Sequence, residues 1–219
     1  MRQAFTAELD QLRLQVELMA VRVDQNLERM RDVLVSGDAV LAERAVNADD
    51  DIDAMNVSLT ERCHEVLVRE APVATDLRFV VSVLRVLGEF ERIGDLALRV
   101  VKLAPDHDLL VASRATYDIV LAMADDAIER FRVALRAWAG LDLELATELA
   151  TGPRTMDLYM DRLMIELLAL EGPDAVRIAI RTLVAGRSLE RIVDHAGVIG
   201  ARLRYLITGD PNHLATEVR

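Results

Sequence analysis

Phe90-Glu91-Arg92-Ile93-Gly94-Asp95 and Leu189-Glu190-Arg191-Ile192-Val193-Asp194 are two versions of one phrase, with Glu91 recurring as Glu190, 99 positions on. At the same register Arg78 meets Arg177, Leu84 meets Leu183 and Ala97 meets Ala196. Similar apolar residues pair as well: Leu77 with Val176, Val81 with Ile180 and Val100 with Ile199. Unrelated amphipathic helices share an apolar rhythm by chance, but rarely Glu-Arg-Ile-x-Asp at one fixed register too. The chain reads as a duplication with a unit of about 100 residues.

Turn residues set the elements around this phrase. Ser36-Gly37-Asp38 ends one helix on a glycine and opens the next on an Asp cap, and Gly140-Leu141-Asp142 repeats the device. Ala71-Pro72, Pro105 to Asp108 and Gly172-Pro173 mark the other breaks. The spacing predicts helices over 5–35, 38–70, 73–103, 108–139, 142–170 and 173–208. Thr151-Gly152-Pro153 interrupts the fifth, because proline removes a backbone hydrogen bond and clashes with the preceding turn. Short connections force antiparallel neighbours. The expected fold is all-α: two tandem pseudo-symmetric three-helix bundles built from six long helices. Residues 1–104 are the first repeat, 105–209 the second, and the polar 210–219, with Pro211, a mobile tail. In the third helix Phe79, Val83, Val86, Phe90, Ile93, Ala97 and Val101 form one apolar stripe, the expected core face.

Composition agrees with helices. Aromatic residues make up only 4% of the chain and glycine plus proline are few, whereas 52% of residues are apolar, ample for a core. A formal net charge of −11 argues against direct contact with nucleic acid or an anionic lipid surface, both of which select clustered Lys and Arg. Cys63 stands alone, so no intrachain disulfide forms, and it reads as a small apolar filler. No apolar run reaches the roughly 18 residues of a spanning helix. The opening MRQAFTAELDQL lacks the apolar stretch of a signal peptide, so the expected location is cytoplasmic.

Each phrase sets a Glu and an Asp at i and i+4, side by side on one helical face. Such a like-charged pair costs about 0.2–0.5 kcal/mol on an exposed helix and more as water is excluded. The second helix offers Asp49-Asp50-Asp51-Ile52-Asp53, in which Asp49 and Asp53 share a face. If the second and third helices pack antiparallel, Asp49, Asp53, Glu91 and Asp95 converge. An oxygen-only, multiply anionic set of this kind suits hard or borderline divalent and trivalent cations. Neutralisation by arginine, with Arg92, Arg99 and Arg191 as candidates, is the other open reading. Di-iron bundle enzymes need Glu-x-x-His pairs projecting into the core, and none is expected; His195 reads as a flank residue.

Ala71-Pro72-Val73-Ala74-Thr75-Asp76-Leu77-Arg78 followed by Glu91-Arg92-Ile93-Gly94-Asp95 resembles the PhoU family of phosphate-transport accessory and phosphate-signalling regulators. In the second copy Arg187-Ser188-Leu189-Glu190-Arg191-Ile192-Val193-Asp194-His195-Ala196 and Tyr205-Leu206-Ile207-Thr208-Gly209 carry the same likeness, which covers essentially the whole chain. The resemblance implies a non-enzymatic negative regulator of phosphate uptake and the phosphate-starvation response. Its implied partners are the ATPase of a phosphate ABC transporter and a sensor histidine kinase of a two-component system, so that it meets the membrane only through partners. A homodimer is also expected, because long flat bundles leave apolar edges. The family's acidic motifs imply metal ions, possibly multinuclear, of iron, zinc, manganese or magnesium. The implied ligands are Asp49, Asp53, Glu91 and Asp95 in the first copy, and Asp157, Glu190 and Asp194 in the second. The second copy departs from the pattern: aligning Asp157 with Asp53 puts Pro153 where Asp49 stands, and Val193 replaces the motif glycine. The alternative function is a carboxylate-bridged metalloenzyme of the helical-bundle type, for which no nucleophile or general base is evident.

Overall fold

Asp38 shows how the chain turns its corners. Its carboxylate accepts the amide N–H groups of Val40 and Leu41 at 2.7 and 3.2 Å, capping one helix, while Gly37 at φ +64° closes the previous one. A side chain at Gly37 would also collide with the His107 ring, 2.6 Å from the Cβ it would carry. The structure, a computed structural model, describes residues 2–152 and 154–218.

Eight α-helices are present among the described residues: α1 (Arg2–Ser36), α2 (Ala39–Glu70), α3 (Ala74–Val101), α4 (His107–Val111), α5 (Arg114–Gly140), α6 (Leu143–Thr151), α7 (Thr155–Leu168) and α8 (Ala175–Thr208). They contain no strand. Six long helical segments are thus recovered, with local differences at the start of the fourth, in the tail and at the second Asp-capped corner. The segment expected over 108–139 begins as the short α4, and α5 starts only at Arg114. The fifth segment divides into α6 and α7 where the sequence breaks it; Pro153 itself lies outside the described residues. Residues 211–218, expected as part of a mobile tail, are wound into a 3-10 helix, with Thr208 Oγ1 and His213 Nδ1 3.1 Å apart at its root. At the second Asp-capped corner the left-handed residue is Leu141, at φ +46°, rather than Gly140. Asp142 still caps α6 through the amides of Glu144 and Leu145, at 2.9 and 3.0 Å.

All seven residues of the α3 stripe are buried, and so are Val80, Leu87 and Val100 off that stripe. The reason is tertiary: α3 packs on α1 and α2 in its own repeat and on α8 of the other. The pair α3 and α8 runs antiparallel, as Glu89 meets His195 and Arg78 lies against Gly209. The two repeats therefore stand side by side and share one continuous apolar core. Phe90 of α3 meets Phe131 of α5 edge to face, with ring centroids 5.8 Å apart, and Phe79 stacks on Trp138 at 6.4 Å. Between α1 and α5, Arg31 pairs with Asp125, and Arg132 with Asp24 and Glu28. Cys63 is buried, and burial pushes its thiol up to about 12, so it is an inert filler. No helix among the described residues is long and apolar enough to cross a membrane.

Candidate metal centre

Three helices of the first repeat meet around Asp49. It sits on α2 facing α3, only 5% exposed, and it reaches α3 at Gly94. A Cβ at Gly94 would stand 2.8 Å from Asp49 Oδ1, closer than real side chains approach, so the motif glycine is what admits the carboxylate. From α1, Asn26, 1% exposed, donates Nδ2–H to the same Oδ1 at a long 3.4 Å. Its own Oδ1 is buried and meets no donor.

The neighbouring acids act on one another through space. Asp49 is raised to about 6, first by burial and then by the charges of Asp53, Asp95 and Asp50. Asp53 is raised by burial and then by Asp95 and Asp50. Glu91 is raised by burial and then by Asp95 and Asp53, against a smaller lowering by Arg92. The antiparallel packing of α2 and α3 has thus brought together Asp49, Asp53, Glu91 and Asp95, with Asp50 at their edge. None of these five has an arginine or lysine within ion-pair distance among the described residues. Arg92, a candidate neutraliser by sequence, instead binds Glu89 at 2.5 Å.

Five carboxylates with an unsatisfied amide oxygen beside them fit a hard cation in charge and in donor type. As placed, no group of three or more His, Cys, Asp or Glu side chains among the described residues is positioned to hold a metal ion. The acids form an open strip. Asp53 and Asp95 are exposed and Glu91 is half-buried.

The second repeat is built differently. Arg154, at the start of α7, reaches Asp157 at 3.2 Å and Asp194 at 2.7 Å, joining α7 to α8 by one guanidinium. Arg187 holds Glu190 at 2.6 Å. The three residues expected as ligands there come into one neighbourhood, but each already has a cation. Glu61-Arg62-Cys63-His64 does carry the Glu-x-x-His spacing expected to be absent. Both Glu61 and His64 are exposed, so the pair does not project into the core.

Three features escaped sequence reasoning. Arg154 was legible, because the alignment that puts Pro153 at Asp49 also puts Arg154 at Asp50. Asn26 gave only the weak signal of a polar residue on an apolar helix face. His195 is more than a flank residue: its Nδ1 lies 2.6 Å from Glu89 Oε2, and both side chains are nearly buried between α3 and α8. That contact brings the two acidic motifs to one level of the molecule.

The fold and its acidic faces define a duplicated all-α bundle protein with an oxygen-donor surface. The family model for the PhoU domain matches residues 16–104. The chain belongs to the PhoU family. It is 31% identical to a phosphate-specific transport system accessory protein PhoU homolog of Pseudomonas putida, over 98% of this chain and 85% of that protein. It is 32% identical to the homolog of that name in Pseudomonas aeruginosa, over 97% of this chain and 89% of that protein. The crystal structure of PhoU from Pseudomonas aeruginosa superposes with a TM-score of 0.86 at 31% identity, covering 94% of this chain and all of that one.

Proposed function

We propose that this protein is a non-enzymatic, cytoplasmic negative regulator of phosphate uptake and of the phosphate-starvation response. It acts by contact, linking the ATPase of a phosphate ABC transporter to a sensor histidine kinase, and its acidic first-repeat face takes up divalent or trivalent metal. The relatives' names, as accessory proteins of the phosphate-specific transport system, support the pathway. The observation that carries the metal reading is the strip of carboxylates around Asp49, in which Asp49, Asp53 and Glu91 are raised by burial and by neighbouring acids and none has an ion-pair partner among the described residues. Asp49, Asp53, Glu91 and Asp95 would hold the ion, which would supply positive charge to an otherwise repulsive face. Bound metal would thus set whether that face is anionic or neutral towards a partner. The exposed apolar residues Leu14, Leu18 and Val21, on one side of α1, support a homodimer.

The test is pulldown of the transporter ATPase and of the kinase by the wild-type chain, Glu91→Ala and Asp95→Ala, each with chelator and with added Mn2+ or Fe2+. Binding that depends on metal in the wild type and is lost in the variants supports the proposal. Equal binding in every arm removes the metal face from the function.

A further inference from the structure

We propose that metal uptake in this chain is confined to the first repeat, because in the second Arg154 and Arg187 occupy the acids that a cation would need. The inference rests on the metal reading of the first repeat and concerns which half of the duplication can share it.

The two repeats align in the helices before the motif at a register of 104 positions, which pairs the helix caps Asp38 and Asp142. At that register three positions around the site lose negative charge or gain positive. Asp49 becomes Pro153, Asp50 becomes Arg154 and Asn26 becomes Arg130. Gly94 becomes Val193 at the motif register. The last change follows from the first. Gly94 exists to admit the Asp49 carboxylate, which a Cβ would meet at 2.8 Å, and a proline in the place of Asp49 sends no carboxylate across.

Five carboxylates at the first site carry no ion-pair partner among the described residues, whereas each of the three at the second carries one. Arg154 is 65% exposed, so its bridges are individually weak and removable by solvent. Weak bridges alone would not exclude a metal. The decisive difference is donor number together with a tethered positive charge: three oxygen-bearing side chains and a guanidinium bonded to two of them cannot match the field of five carboxylates that have no ion-pair partner among the described residues.

Equilibrium dialysis of the full chain against Mn2+ and, anaerobically, Fe2+ tests this. The paired variant Asp53→Asn/Asp95→Asn is expected to lose all bound metal, and Asp157→Asn/Asp194→Asn to lose none. Arg154→Asp, which restores the charge found at Asp50, is expected to raise the amount bound above wild type. Melting in chelator gives a second readout, independent of metal. The first-repeat pair should melt above wild type as repulsion is relieved, the second-repeat pair below it as its ion pairs break; circular dichroism checks that each variant is folded. Equal metal loss from both pairs would overturn the confinement and leave the metal reading of the first repeat intact. A wild type that takes up neither ion would overturn that reading, and this inference with it.

Discussion

Replacing Asp49 by asparagine, in protein kept free of metal by a chelator, is expected to stabilise the fold. The carboxylate is 5% exposed and raised from 3.8 to about 6, first by burial and then by Asp53, Asp95 and Asp50. An acid whose folded pKa is raised carries no penalty below its unfolded pKa. The penalty grows as pH rises between the two values and is complete above the folded one. A rise of roughly two units corresponds to about 3 kcal/mol of lost stability at pH 7.5, of which about half remains at pH 5. Asparagine removes the charge, keeps the shape, and still offers an oxygen to Asn26 Nδ2. For a chain of this length, about 3 kcal/mol amounts to a rise of about 6–12 °C in Tm. The assay is thermal melting followed by circular dichroism in chelator at pH 7.5 and pH 5, with the gap between variant and wild type narrowing at the lower pH. On adding Mn2+ the wild type should gain stability and the variant little, the usual opposition between a functional charge cluster and fold stability. A variant that melts at or below wild type at pH 7.5, or a gap that does not narrow at pH 5, would refute the electrostatic account of this site.

Two further substitutions probe its supports. Gly94→Val drives a side chain into Asp49 Oδ1, so it should lower stability by about 1–3 kcal/mol in urea unfolding and abolish metal uptake by the first repeat; retained uptake would mean that Asp49 is not needed there. Phe131→Ala removes the ring that meets Phe90 across the two repeats and should cost about 3–5 kcal/mol in a single cooperative transition. Two separate transitions in the wild type would instead show that the repeats do not share one folding unit.

The fold was largely legible because its signals are local. The Asp caps, the proline breaks and the apolar stripe of α3 each need only a few adjacent residues to be read, and each lies where the spacing put it. The site was half legible. Helical periodicity sets Glu91 beside Asp95 and Asp49 beside Asp53, and antiparallel packing of short-linked helices brings the pairs together. Periodicity says nothing of how deep a carboxylate goes, and the burial of Asp49 against Gly94 emerges only when α1, α2 and α3 close. The 3-10 winding after Thr208 was not legible, because a polar segment with a proline carries no periodic apolar signal.

The sequence by itself determined the duplication, the helical class and the presence of two acidic motifs, since all three are encoded in spacing along the chain. Only the tertiary structure decided that the motifs differ in kind. Whether a carboxylate is bare or paired depends on which side chains a neighbouring helix delivers. Arg92 forms its ion pair with Glu89 and acts on Glu91 only through space, leaving the first cluster without an ion-pair partner among the described residues, while Arg154 reaches across from α7 to Asp194 on α8. A Coulomb interaction falls with distance in space, and distance in sequence does not report it.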